Sequence, residues 1–133
     1  MKNSIVFALL IVLSGNTFAG LSNYSDVLID IAGGTVQGSM IGARNSADPD
    51  AFIACDVTST TPEPNTEIFG MFCMAYTTAN GFAFCWSNSS LYAESASSVS
   101  ATSQITFKWK PYRGQSGGQC TYVDVNNASF LIE

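Results

Sequence analysis

Residues 67–87 read EIFGMFCMAYTTANGFAFCWS, and this stretch decides the fold. Two apolar runs, Glu67 to Thr77 and Gly81 to Ser87, flank Ala79-Asn80-Gly81-Phe82. An Asn-Gly pair between such runs favours a type I′ turn, whose twist suits a two-residue hairpin. That register sets Tyr76 opposite Cys85 and leaves Cys73 three pairs away, near Asn88. A direct Cys73–Cys85 bridge is then awkward, because a cross-strand disulfide needs nearly opposed positions.

Outward from the hairpin the same pattern repeats: short apolar runs rich in β-branched and aromatic residues, punctuated by Gly, Ser, Thr and Asn. Upstream, Phe52 to Thr58 alternates with Ile53, Cys55 and Val57 on one face, and Thr60 to Asn65 (TTPEPN) is a turn fixed by two prolines. Val27 to Ile31 is a first strand, with Val27, Ile29 and Ile31 opposite Asp26 and Asp30. Gly33-Gly34 turns the chain into a second strand, Thr35 to Ile41, where Gly38 and Gly42 suggest a bulge or close backbone approach. Arg44 to Asp50 reads as a loop. Downstream, Ser89 to Ser100 breaks the alternation. Leu91, Ser95 and Val99 recur every four residues with Ser90 as a cap, which fits one or two helical turns near 89–97 or a loop. Ser103 to Lys110 is a strand ended by Pro111, Arg113 to Gln119 a turn, Cys120 to Val125 a strand, and Phe130 to Ile132 a last short one. The expected fold is all-β: a small antiparallel sandwich or partly closed barrel, without repeat or linker.

The first residues predict export. Lys2 precedes the apolar run Ile5 to Leu13, Ser14-Gly15-Asn16 breaks it, and Thr17-Phe18-Ala19 supplies small residues at the positions read by a signal peptidase. Nine apolar residues reach roughly 14 Å as a helix against about 30 Å of hydrocarbon, too short for a permanent span. No cysteine precedes Cys55, so a lipid-modified signal is excluded. Cleavage after residue 19 leaves residues 20–133 as one domain, secreted or periplasmic. In that setting Cys55, Cys73, Cys85 and Cys120 are expected to form two disulfides. Three pairings are open. Cys55 and Cys73 lie symmetrically about Pro64, which favours Cys55–Cys73 with Cys85–Cys120. A zinc site is disfavoured: the chain has no histidine and no C-x2-C pair.

Charge is sparse. After cleavage only Arg44, Lys108, Lys110 and Arg113 oppose ten carboxylates, and losing Lys2 takes the formal charge from −5 to −6. Such a chain lacks the clustered cations that nucleic acids and anionic membranes require. Neither is an expected partner, nor is stable membrane insertion after cleavage, and no cofactor is expected.

Gly33 to Cys55 (GGTVQGSMIGARNSADPDAFIAC) resembles a group of small exported bacterial proteins of unassigned function. They share a glycine-spaced strand, an Ala-Arg-Asn-Ser-x-Asp loop and an Ile-x-Cys strand; further cysteines and the late strand Cys120 to Val125 (CTYVDV) complete the likeness. The resemblance implies export and a common fold, and no activity. Pro62-Glu63-Pro64 stands as a local elaboration.

Candidate chemistry is thin. Arg44, with Asn45, Ser46 and Asp48, can anchor a carboxylate or phosphate through its planar fork, or can clamp the loop by pairing with Asp48 or with loop carbonyls. Asn45, Asp48, Asp50 and Asp56 offer oxygens to calcium without EF-hand spacing, and a solvated turn fits them better. Without histidine there is no Ser-His or Cys-His pair, so no catalytic residue is assigned. Among the aromatics, Phe84 with Trp86 and Phe107 with Trp109 read as core pairs. Exposed on one face, Tyr76, Phe82, Phe84, Trp86, Trp109 and Tyr112 could nonetheless stack on sugars or grip a protein partner. Trp86, Trp109 and Tyr112 are the named binding candidates, Tyr112 above all because it follows Pro111. The expected role is a non-catalytic exported binding module for a protein or glycan. The alternatives are an inhibitor of a hydrolase presenting Ser59–Thr66, a self-assembling subunit, and a small glycan hydrolase.

Overall fold

The computed structural model describes residues 26–60 and 68–127. The expected signal at 1–19, the heart of the proline turn and the short strand at 130–132 lie outside these residues. Seven strands form one mixed sheet: β1 (Leu28–Asp30), β2 (Thr35–Ser39), β3 (Phe52–Thr60), β4 (Ile68–Thr77), β5 (Gly81–Ser87), β6 (Gln104–Trp109) and β7 (Gly117–Asn126). Their spatial order is β1-β2-β6-β7-β5-β4-β3, and the sheet does not close. All neighbours are antiparallel except β5 and β7, which run parallel through Phe84–Gly117, Cys85–Gly118 and Trp86–Gln119. This seam joins two antiparallel halves. It also explains why β7 starts three residues before the expected Cys120: Gly117 to Gln119 find their partners on β5, not on β6.

Two helices occupy the inner side. α2 (Ser90–Ser97) falls where the four-residue spacing places it, with Ser89 rather than Ser90 at its N-cap. It packs against β3, β4 and β7 through buried Ala93 and Ala96. α1 (Met40–Asn45) replaces the end of the expected second strand and the start of the expected loop. Its cause is local: the buried Ser39 hydroxyl accepts the Gly42 amide hydrogen at 2.9 Å, a side-chain cap that starts a helix. Gly42 is thus helical, whereas Gly38 marks a close approach, since a Cβ there would stand 2.9 Å from the Val27 Cα.

The hairpin exists, but its register differs from expectation. Thr77 pairs with Gly81, Tyr76 with Phe82 and Cys73 with Cys85. Only Gly81 takes a left-handed φ, of 76°, whereas a type I′ turn needs positive φ at both central residues. Thr78-Ala79-Asn80 therefore form a three-residue loop. Cys73 faces Cys55 on one side and Cys85 on the other. The bridges are Cys55–Cys73 and Cys85–Cys120, with Cα–Cα separations of 4.0 and 4.9 Å. The favoured pairing is the observed one, although the register that argues against Cys73–Cys85 is not.

A bulge keeps β7 in phase with the core. Trp109 pairs with Cys120 and Lys108 with Tyr122, so Thr121 is the extra residue. Cys120 and Val123, three apart, then both point inward although strand side chains alternate. The Tyr92 hydroxyl donates to the Thr121 carbonyl at 2.9 Å and ties α2 to this point.

Candidate functional site

The inner and outer faces of β3, β4 and β5 differ in a way that volume alone would not suggest. Inward point Ile53, Met71, Cys73, Ala75, Ala83 and Cys85, mostly small side chains. Small residues are needed there because α2 lies close, with two alanines of its own at the contact. Outward, the register aligns Phe52 with Tyr76 and Phe82, then Ala54 with Met74 and Phe84, then Asp56 with Phe72 and Trp86. Seven large apolar side chains thus share the solvent side of three strands.

They touch one another. Phe52 and Tyr76 are 6.1 Å apart between ring centroids, Phe72 and Phe84 5.7 Å, and Phe82 and Phe84 5.9 Å. Phe84 lies over Gly117 across the seam, where an added Cβ would meet the ring at 2.5 Å. Phe52, Phe82 and Trp86 remain 39, 41 and 45 % exposed. Isolated apolar residues on a surface are ordinary, whereas a contiguous set makes this face the candidate site. Asp56, the one charge in the rows, sits at the rim and accepts the Val57 amide hydrogen at 2.9 Å.

Of the two aromatic pairs expected in the core, only one is there: Phe107 and Trp109 are buried, whereas Phe84 is half-buried and Trp86 belongs to the open face. Trp109, 2 % exposed, is withdrawn as a binding candidate; its indole N–H points to the Gln115 carbonyl at 3.4 Å. Tyr112 is 60 % exposed with Arg113 5.2 Å from its ring, and follows β6 rather than belonging to the three registered rows. Arg44 is exposed in the last turn of α1, where a cation suits the helix dipole. Asn45, the last residue of α1, is also exposed.

Asp48 does not pair with Arg44. Its carboxylate accepts the Thr78 hydroxyl and the Thr78 amide hydrogen, each at 2.7 Å, and so pins the β4–β5 loop to the segment after α1. The Thr78 hydroxyl, then the Thr78 amide, hold the Asp48 carboxyl below its usual pKa, aided by the Asp50 amide and against partial desolvation. A depressed folded pKa contributes stability that is present above the unfolded value and is lost as pH falls through the folded one. Between about pH 5 and pH 3 the urea midpoint of the wild type should therefore fall more than that of Asp48→Asn. Parallel slopes would remove Asp48 from the account.

Asp26 and Asp48 line a shared groove of about 270 Å³. A general acid requires a raised pKa, the opposite of what Thr78 imposes on Asp48. Asn45, Asp48, Asp50 and Asp56 do not converge: Asp48 is engaged by Thr78 and by the Asp50 amide, and Asp56 stands on β3. Among the described residues no cluster of three potential metal ligands occurs, and no helix is long and apolar enough to cross a membrane. The two disulfides fit an oxidising compartment. Comparison with protein-family models, curated proteins and solved structures finds no match.

Tyr76, Phe82, Phe84 and Trp86 stand out in the sequence as a set that could bind if exposed. Alternation tells which residues share a face and not which face is covered, so their exposure and the part of Phe52, Phe72 and Met74 are not legible there. The small residues Ala75, Ala83, Ala93 and Ala96 are the available clue, since they mark where backbones approach closely.

Proposed function

We propose that the protein is a non-catalytic interaction module, secreted or periplasmic once residues 1–19 are removed, that buries its aromatic sheet face against a protein partner. The observation behind this reading is the set of seven apolar side chains in register on the solvent side of β3, β4 and β5. Phenylalanines dominate it. Their rings offer no donors or acceptors for sugar hydroxyls, which favours a protein partner over a glycan. The face is also stiff, because the Cys55–Cys73 bridge joins β3 to β4. Preorganisation of that kind lowers the entropy lost on binding.

A test uses bis-ANS, a dye that fluoresces on exposed apolar surface. At submicromolar protein the native chain should enhance its fluorescence, and the double variant Phe82→Ser/Trp86→Ser should lose most of the enhancement. Both side chains are somewhat under half exposed and neither belongs to the buried core, so the loss of stability should stay near about 1–2 kcal/mol per site. Equal enhancement by native and variant chains would defeat the reading.

A further inference from the structure

We infer that the partner is a second copy of this chain, seated face to face on the aromatic rows; this rests on the reading of that face as an interaction surface. Size is the first argument. At the observed exposures the seven side chains offer about 450 Å² of accessible surface per chain, taking about 200 Å² for each, and exposed neighbours such as Asp56 and Thr58 extend the patch at its rim. Two such faces bury about 900 Å² together before the rim contributes, just under the roughly 1,200 Å² at which stable interfaces begin, a size that suits a weak and reversible pair.

Chemistry is the second argument. The rows Phe52-Tyr76-Phe82 and Ala54-Met74-Phe84 contain no charge, and the third row carries only Asp56 at its outer end. A two-fold contact can therefore bring ring against ring without trapping an unpaired ion. Sheets packed in this way stand about 10 Å apart with interleaved side chains. The chain is also acidic, so two copies repel at long range. That repulsion is screened by salt, whereas attraction to a partner of opposite charge would be weakened by it.

Sedimentation equilibrium of the mature chain from about 1 to 300 μM, with bis-ANS fluorescence in parallel, tests the inference. The expected result is a reversible passage from monomer to dimer. Dye bound per chain should fall as protein concentration rises, and the dimer should tighten several-fold between about 50 and 500 mM NaCl. Phe82→Lys and Trp86→Lys should each weaken it at least about 30-fold, the scale of a central aromatic contact. Leu28→Lys, at an exposed apolar site on β1, should leave it intact. Near-UV circular dichroism confirms folding, with Phe82→Ser as the milder substitute. A monomer throughout that still binds the dye overturns the second copy and leaves the interaction face standing. A monomer that binds no dye overturns both. A dimer indifferent to Phe82→Lys and Trp86→Lys places the contact elsewhere and overturns the inference.

Discussion

Replacing Cys85 and Cys120 with alanine should lower the unfolding free energy by about 4 kcal/mol, while replacing Cys55 and Cys73 should cost about 3 kcal/mol. The first bridge spans a sequence separation of 35 and the second one of 18, and a longer closed loop removes more entropy from the unfolded chain. Context widens the difference. Cys55–Cys73 lies within a ladder of nine registered pairs between β3 and β4. Cys85–Cys120 backs a seam of only three pairs, between β5 and β7. Urea denaturation of the two double variants measures both values. If Cys55→Ala/Cys73→Ala were the more damaging, the seam would not be the weak line of the fold.

Gly117→Val tests the same seam without touching sulfur and should cost about 3 kcal/mol. A Cβ at Gly117 would stand 2.5 Å from both the Phe84 ring and the Phe84 carbonyl oxygen. The ring can move; the carbonyl belongs to the parallel pairing itself and cannot yield without opening it. Gly118→Ala is the control one residue away, because its added Cβ meets only the Trp109 ring at 3.9 Å, ordinary contact. That variant should stay within about 1 kcal/mol of wild type. Equal losses at both positions would point to backbone entropy rather than steric conflict at the seam.

Much of this architecture is legible in the chain because strands announce themselves by alternation and turns by glycine. Val27 to Ile31, Phe52 to Thr58 and Ser103 to Lys110 each coincide with an observed strand. What is not legible is whatever depends on distant partners. Asn80-Gly81 marks the hairpin, but its register depends on Asn80 not adopting positive φ, while Asp48, thirty residues upstream of Thr78, holds the loop through that residue. The parallel pairing of Gly117 to Gln119 is equally hidden, since nothing near those residues names β5 as their neighbour. α1 has a signal of its own in Ser39 ahead of Met40 to Arg44, but Gly38 and Gly42 argue for an extended strand and mask it.

For the site, the difficulty is one of size against position. Trp86 and Phe84 are among the largest side chains of β5, and large apolar residues are ordinarily expected inside. Here Ala83 and Cys85 take the inner positions. Asp48 stands out in the sequence as a residue with a partner to hold, although that partner is Thr78 and not Arg44.

The strand order also governs how the chain reaches this state. β3, β4 and β5 follow one another in sequence and in space, so they can assemble from local contacts. β2 with β6 and β5 with β7 join segments far apart in sequence, and contacts of that kind form slowly. A meander that forms ahead of the rest stands apolar on both sides: its inner face still awaits α2, and its outer face is aromatic in the finished protein. A chain crossing a membrane unfolded would meet its greatest aggregation hazard at that moment. The property that equips the face for a partner therefore exposes the chain to unwanted ones while it folds.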